Sequence, residues 1–181
     1  METFATQRLR GEKLHERHLP DLIELHLDGE VMRFLGGIRS PEATAGYLAD
    51  NVAHWERHDF GLWVVRTPDG AFAGRVGIRH LVVGDAPEVE VAYTFRRALW
   101  GQGLASEVIE FLADVGLKRL AFPSLVGVAS VGNIASRRVL EKSGFAFERT
   151  VNYLGEDVVL YRRRRATPSA STDLHRARES S

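Results

Sequence analysis

Three features of the sequence predict an α/β chain of the α+β kind, with a mixed, mostly antiparallel sheet flanked by helices. First, strand-like stretches at 60–67 (FGLWVVRT), 71–83 (AFAGRVGIRHLVV) and 88–95 (EVEVAYTF) follow one another across short turns, which requires antiparallel pairing. Second, 104–117 and 134–142 carry apolar residues at helical spacing. Third, a short apolar run at 125–129 lies between those helices and is reached by a helical crossover, so it should run parallel to the strand before it.

The remaining elements follow in chain order. Residues 6–14 (TQRLRGEKL) alternate weakly and read as one opening strand. Leu22, Ile23, Leu25 and Leu27 give 20–27 a helical face, and 30–35 reads as a second short helix closed by Gly36-Gly37. Ser40-Pro41-Glu42 is a helix start, with Ser40 as N-cap, Pro41 in the first turn and a carboxylate beside the positive helix end; that helix should reach about His58. Pro68-Asp69-Gly70 turns the central hairpin. Leu104, Val108, Phe111, Leu112 and Val115 form one helical stripe, and Gly144 is placed as the left-handed cap ending 134–142. Stretches 146–150 and 157–161 make a last strand pair. From Arg162 on, apolar content is too low to offset ordering entropy, so 1–161 is read as one domain and 162–181 as a basic, disordered tail.

Composition narrows the function. The 181 residues include no cysteine, which removes thiolate nucleophiles, disulfides and Cys-based zinc sites. No stretch approaches the roughly eighteen apolar residues of a membrane span, and METFATQRLR lacks the apolar core of a signal peptide, so a cytoplasmic protein is expected. Formal charge sums to zero, but 162–181 hold six Arg against Asp173 and Glu179, leaving a mildly acidic body. Such a body argues against a general nucleic-acid surface. The four arginines from Arg162 could meet phosphate or RNA, or simply be solvated. His54 and His58 stand at i, i+4, a metal spacing, but without a zincin Glu or an evident third ligand they read as a surface pair, and no metal is expected.

The densest signal is the turn at 99–104 (LWGQGL), where a strand runs through Gly-x-Gly into a helix. Free N–H donors and aligned peptide dipoles make such a helix start an anion site. No Gly-Lys-Ser or Gly-Lys-Thr follows, so a Walker phosphate loop is excluded. A dinucleotide fingerprint needs a third glycine where Ser106 stands, and an acidic residue where the chain has Ala121-Phe122-Pro123.

The order Glu90, Tyr93, Phe95, Trp100, Gly101, Gly103, Ala105, followed by Asn133, Ser136, Lys142, Gly144, Phe145, resembles the GNAT superfamily of acyl-CoA-dependent N-acyltransferases. Within it the chain is similar to the ribosomal-protein N-terminal acetyltransferase (Rim) group over about 6–161. The resemblance implies the acyl-CoA N-acyltransferase fold with a central splay, acetyl-CoA as cosubstrate, and acetyl transfer to a primary amine in a ternary complex. The acceptor would be a protein N-terminus, a ribosomal protein's among them, or a small amine; a homodimer is plausible in this superfamily. It places the coenzyme A pyrophosphate on the main chain of Leu99, Trp100, Gly101, Gln102, Gly103 and Leu104. The pantetheine arm would lie along Tyr93, Thr94 and Phe95 as an added strand. Asn133 would face the cofactor, cap its helix, or do both. Two positions depart from the pattern: Arg97 replaces a frequent proline, and Ala98 replaces a common Arg or Gln. Arg96 and Arg97 would reach the phosphates or be solvated.

Attack of an amine on a thioester needs a neutral amine, a polarised carbonyl and a tolerable leaving thiol, whose pKa is about 8.5. An α-amine with pKa about 7.7 to 8.0 is already partly neutral at pH 7, whereas a lysine near 10.4 is almost wholly charged. Glu90 is the candidate base, with Glu88 its rival and a solvent-facing carboxylate the plain alternative. Leu140 occupies the position where many members carry a tyrosine acid; the group instead suggests the Ser136 hydroxyl near the departing sulfur, against a plain helix-surface serine. An idle acyl-CoA-binding module would carry the same cofactor motifs.

Overall fold

The computed structural model describes residues 1–166. Its strands are β1 (Thr3–Ala5), β2 (Arg10–Lys13), β3 (Leu62–Arg66), β4 (Phe72–Val83), β5 (Ala86–Phe95), β6 (Ser124–Ser130), β7 (Ala146–Tyr153) and β8 (Glu156–Arg164). They form one eight-stranded sheet in the order β1-β2-β3-β4-β5-β6-β8-β7. Among the described strands only the β5–β6 pair is parallel. The helices are α1 (Leu19–Leu27), α2 (Gly29–Met32), α3 (Pro41–His58), α4 (Leu104–Asp114) and α5 (Ile134–Lys142).

Most expected elements sit where periodicity placed them. Ser40 Oγ accepts from the Ala43 N–H at 3.2 Å, so α3 starts on the expected cap. Gly144 is left-handed at φ +76°, as a helix stop requires. Three expectations need correction. The opening strand is a hairpin, because Thr6 Oγ1 accepts from Leu9 N at 3.2 Å and turns the chain between β1 and β2. The helix after the glycine turn ends at Asp114 and widens, Leu120 N reaching Val115 O at 2.9 Å in an i→i+5 bond. There Gly116 packs so close to the sheet that a Cβ would lie 2.7 Å from the Leu125 side chain.

The third correction concerns the tail. β8 continues to Arg164, pairing with β6 through Ser124↔Arg164, so Arg162–Arg164 belong to the domain. Arg162 tolerates its place in the sheet because Glu88, Glu148 and Ser124 satisfy its guanidinium. The expected disorder of 167–181 lies outside the described residues.

Two helical layers cover the sheet. On one face Tyr47 of α3 meets Arg75 of β4, and His26 of α1 meets Thr44 of α3. On the other, Tyr93 of β5 meets Ser136 of α5. Trp63 anchors the core, edge-on to Phe4 at 5.6 Å and to Trp55 at 5.0 Å.

The sheet opens in the middle. β4 follows β5 up to Gly74↔Phe95, and β6 follows β8 up to Ser130↔Val158. β5 and β6, however, bridge only at Glu90↔Val126. Beyond Glu90 the two strands part, and the β6-facing main chain of 91–95 is left without a strand partner among the described residues.

Candidate active site

The parted strand leads straight into the glycine turn. After Phe95, a 3₁₀ turn (Arg97–Leu99) brings Trp100, Gly101, Gln102 and Gly103 to the start of α4. Gly101 and Gly103 are left-handed, at φ +75° and +78°. A Cβ on Gly101 would touch nothing within 4 Å, so there the backbone angle demands glycine while the space above stays open. Among the described residues no side chain caps α4, which leaves its first-turn N–H groups available to an anion.

Side chains at the turn shape it from behind. Trp100 Nε1 donates to the Phe95 carbonyl at 2.9 Å, and Gln102 Nε2 to the Ala98 carbonyl at 3.1 Å. Leu104 is buried and Leu99 packs on the core. Arg8, which the sequence did not flag, donates to the Gln102 carbonyl at 2.6 Å and pairs with Glu107 at 2.7 Å. It thereby brings a cation to the turn from the β1–β2 loop. Arg96 is drawn instead to Glu24 of α1 at 2.5 Å, and a cleft of about 520 Å³ opens there, lined by Glu24, Asp28, Arg96 and Arg97.

Strand alternation divides the other expected residues between two faces of β5. Glu90 and Thr94 face α1 and α3; Tyr93 and Phe95 face the other way. Glu90 is buried and ion-paired with Arg79 directly across β4, at 2.8 Å, so the solvent-facing reading of this carboxylate is overturned. That pairing is the chief reason the Arg79 guanidinium is raised above its usual range. Its rival Glu88 is likewise ion-paired, with Arg162 at 2.6 Å.

On the opposite face, the Tyr93 hydroxyl lies 2.6 Å from Ser136 Oγ. Burial pushes the Tyr93 phenol up to about 12, partly opposed by its bond to Ser136. A pKa that high keeps it protonated at neutral pH, a standing donor or relay. Ser136 is fixed from its main chain, its N–H donating to Asn133 Oδ1 at 3.0 Å. Asn133 therefore caps α5. Leu140 is fully buried against Gly127, where a Cβ would come within 2.3 Å of it, so this position builds core. The tyrosine hydroxyl beside Ser136 comes from the strand, a pairing that no linear spacing reveals.

The histidine pair also needs correcting. His54 is buried, and His80 of β4 supplies a third imidazole, with ring nitrogens of the three within 4.8 Å of one another. Both nitrogens of His54 meet the main chain: Nδ1 donates to the Phe60 carbonyl at 2.9 Å, and Nε2 accepts from the His80 N–H at 3.1 Å. This ring ties α3 to β4.

Known proteins share this architecture. The acetyltransferase (GNAT) domain profile matches residues 8–146. An uncharacterized protein, YkkB, of Bacillus subtilis (strain 168) is 27% identical over 163 residues, covering 89% of this chain and 95% of its own. An acetyltransferase from Agrobacterium tumefaciens str. C58 superposes with a TM-score of 0.79 at 24% identity, over 90% of this chain and 94% of its own. A RimL ribosomal L7/L12 alpha-N-protein acetyltransferase in complex with coenzyme A gives 0.75 at 20% identity, over 90% and 98%. Among the described residues no helix is long and apolar enough to cross a membrane. With a family match over most of the domain and a sheet that parts beside a glycine turn, the chain belongs to the GNAT acetyltransferase family.

Proposed function

We propose that the protein transfers an acetyl group from acetyl-CoA to a primary amine by direct attack in a ternary complex. The observation that carries this reading is the continuity of the unpartnered β5 edge with an uncapped, glycine-gated helix start. The edge at Tyr93–Phe95 offers main-chain groups to a pantetheine arm, and the N–H groups of 99–104 offer a cradle to its pyrophosphate. The open space over Gly101 fits such a group. Acetyl-CoA, when bound, supplies the activated acyl group.

The chain's residues divide the remaining work between the two faces. A β5 N–H at the fork polarises the thioester carbonyl, a kind of contact whose loss costs about 2.7 to 4 kcal/mol in known sites. Glu90 takes the amine proton, directly or through water. Ser136, with Tyr93 behind it, returns a proton to the leaving sulfur on the opposite face. A parted sheet lets one bound thioester meet both faces. The acceptor is a protein N-terminus, as the RimL neighbour's name states for that enzyme, or a small amine. A second copy of the chain is the expected partner.

Purified protein, acetyl-CoA and an amine panel, followed by free-thiol release, provide the test. Turnover with any amine supports transfer. Coenzyme A binding by calorimetry without turnover on the whole panel leaves a binding module, and absence of binding defeats the cofactor assignment as well.

A further inference from the structure

The face of the sheet that carries Glu90 also holds a buried cation with no ion-pair partner among the described residues. Arg75 of β4 is 4% exposed, and its Nε has no hydrogen-bond partner among the described residues. Its guanidinium lies 5.1 Å from the Tyr47 ring, and the Arg39 guanidinium lies 4.9 Å from the same ring. Arg79, two positions on along the same face, is paired with Glu90 at 2.8 Å. Directly across from Arg75, buried Thr94 has a hydroxyl with no partner among the described residues, and so does Tyr47.

The charged groups around Arg75 come from several elements. β4 gives Arg75 and Arg79, the segment before α3 gives Arg39, and β5 gives Glu90. His26 of α1 is buried beside Arg75 and Arg39, and burial chiefly, with those two cations, lowers it to about 3, so it adds no charge at neutral pH. Glu90 is already taken by Arg79, so Arg75 is left as the buried cation on this side without a carboxylate of its own. An unpaired buried charge is among the costliest features a fold can retain, and replacing it with an apolar side chain is commonly neutral or stabilising. Arg75 sits, moreover, beside two unpartnered hydroxyls that can donate to an anion. Arg39 and Tyr47, which stack beside Arg75, are half-buried.

We propose that Arg75, assisted by Arg39, Tyr47 and Thr94, is the specificity-determining anion pocket for the acceptor, and that the acceptor is an amine carrying a carboxylate. This rests on the acetyl-transfer reading and deepens it. The amine is held at Glu90 while its carboxylate is gripped further along the same face, by the planar fork that guanidinium presents to carboxylates. Two sources share this chemistry: a free amino acid, and a peptide whose N-terminal residue is acidic.

The test pairs each acceptor with its uncharged twin: glutamate with glutamine amide, and a peptide starting Asp or Glu with one starting Asn or Gln. In the wild type the carboxylate member should have a kcat/KM higher by about 10- to 100-fold, the range of one charge-assisted contact. Preference among free amino acids names the small-molecule source; preference among peptides names the N-terminal source. Arg75→Met should erase the ratio, and Arg75→Lys should keep part of it. A second readout does not need turnover. Glutarate should raise the melting temperature of the wild type but not of Arg75→Met, and Arg75→Met without ligand should melt no lower than wild type. Equal kcat/KM across the pairs, together with no thermal response to glutarate, overturns the pocket while leaving acetyl transfer standing. Loss of folding in Arg75→Met shows that the charge serves the apo structure and also overturns it.

Discussion

Arg162 on β8 grips both carboxylate oxygens of Glu88 on β5, at 2.6 and 2.9 Å, from the far side of β6. The same guanidinium reaches Glu148 of β7 through Nε at 2.5 Å and Ser124 of β6 at 2.9 Å. One residue therefore fastens four strands just below Glu90, where β5 and β6 begin to part. Arg162 and Glu88 side chains are only 11% and 12% exposed, so breaking the pair strands a charge in a poorly hydrated place.

Arg162→Ala should lower unfolding free energy by roughly 3 kcal/mol, measured by urea denaturation. The hydrogen bond from Arg162 is the leading reason Glu148 is held below its usual range. Its contribution is full above the ordinary carboxylate pKa and fades as pH falls through the lowered one. The difference between wild type and Arg162→Ala should accordingly shrink in acid.

Three histidines make the fold acid-sensitive. Burial is the first cause lowering His18 to about 4, His26 to about 3 and His54 to about 4, from 6.5. Each stays neutral when folded but binds a proton when unfolded below pH 6.5. Stability is full above that value and falls as pH drops from 6.5 towards the folded pKa values. Linkage gives up to about 1.4 kcal/mol per histidine per pH unit, so urea midpoints at pH 5.5 should fall well below those at pH 7.5. A flat profile would show that these three rings do not stay neutral in the folded protein.

His54 also joins two main-chain groups that would otherwise be orphaned. His54→Ala should cost about 2 to 4 kcal/mol, whereas His58→Ala, at an exposed position, should cost less than about 0.5 kcal/mol.

Glu90→Gln should cut kcat by about 100-fold or more while coenzyme A affinity, measured by calorimetry, holds. Part of that loss should be recovered at high pH, where more of the amine is already neutral. Full activity of the variant at every pH excludes the base.

Tyr93→Phe removes the hydroxyl at Ser136 and leaves the ring in place. We expect kcat to drop by about 10-fold, with the drop in Tyr93→Phe/Ser136→Ala smaller than the product of the single losses. Independent, multiplying losses would show that the two hydroxyls do not act as one unit.

Much of this molecule is legible in its sequence, and the gaps have physical causes. The helix from Pro41 to His58 and the one from Ile134 to Lys142 were readable because caps and periodicity act within a few residues. The end of the domain was not, because a run of arginines looks solvated until Glu88 and Glu148 are brought alongside by strands 74 and 14 residues away. The same limit hid the Tyr93–Ser136 contact, 43 residues apart, and His80, which joins His54 only through the path of β4. Glu90 could be picked from its motif, but its burial and its pairing with Arg79 depend on cross-strand register. The cationic pocket gave no linear signal, since Arg39, Arg75 and Arg79 are scattered among ordinary surface-like charges.

A strand whose flank has lost its neighbour offers any stray extended segment a docking rail. Natural sheets hide such rails, because they nucleate association between copies. The upper half of β5 keeps one inside a notch, where the surrounding walls bury most of its residues in place of charge or proline. Ligand-free preparations should thus be the ones prone to clump on storage, and saturating coenzyme A should keep them dispersed.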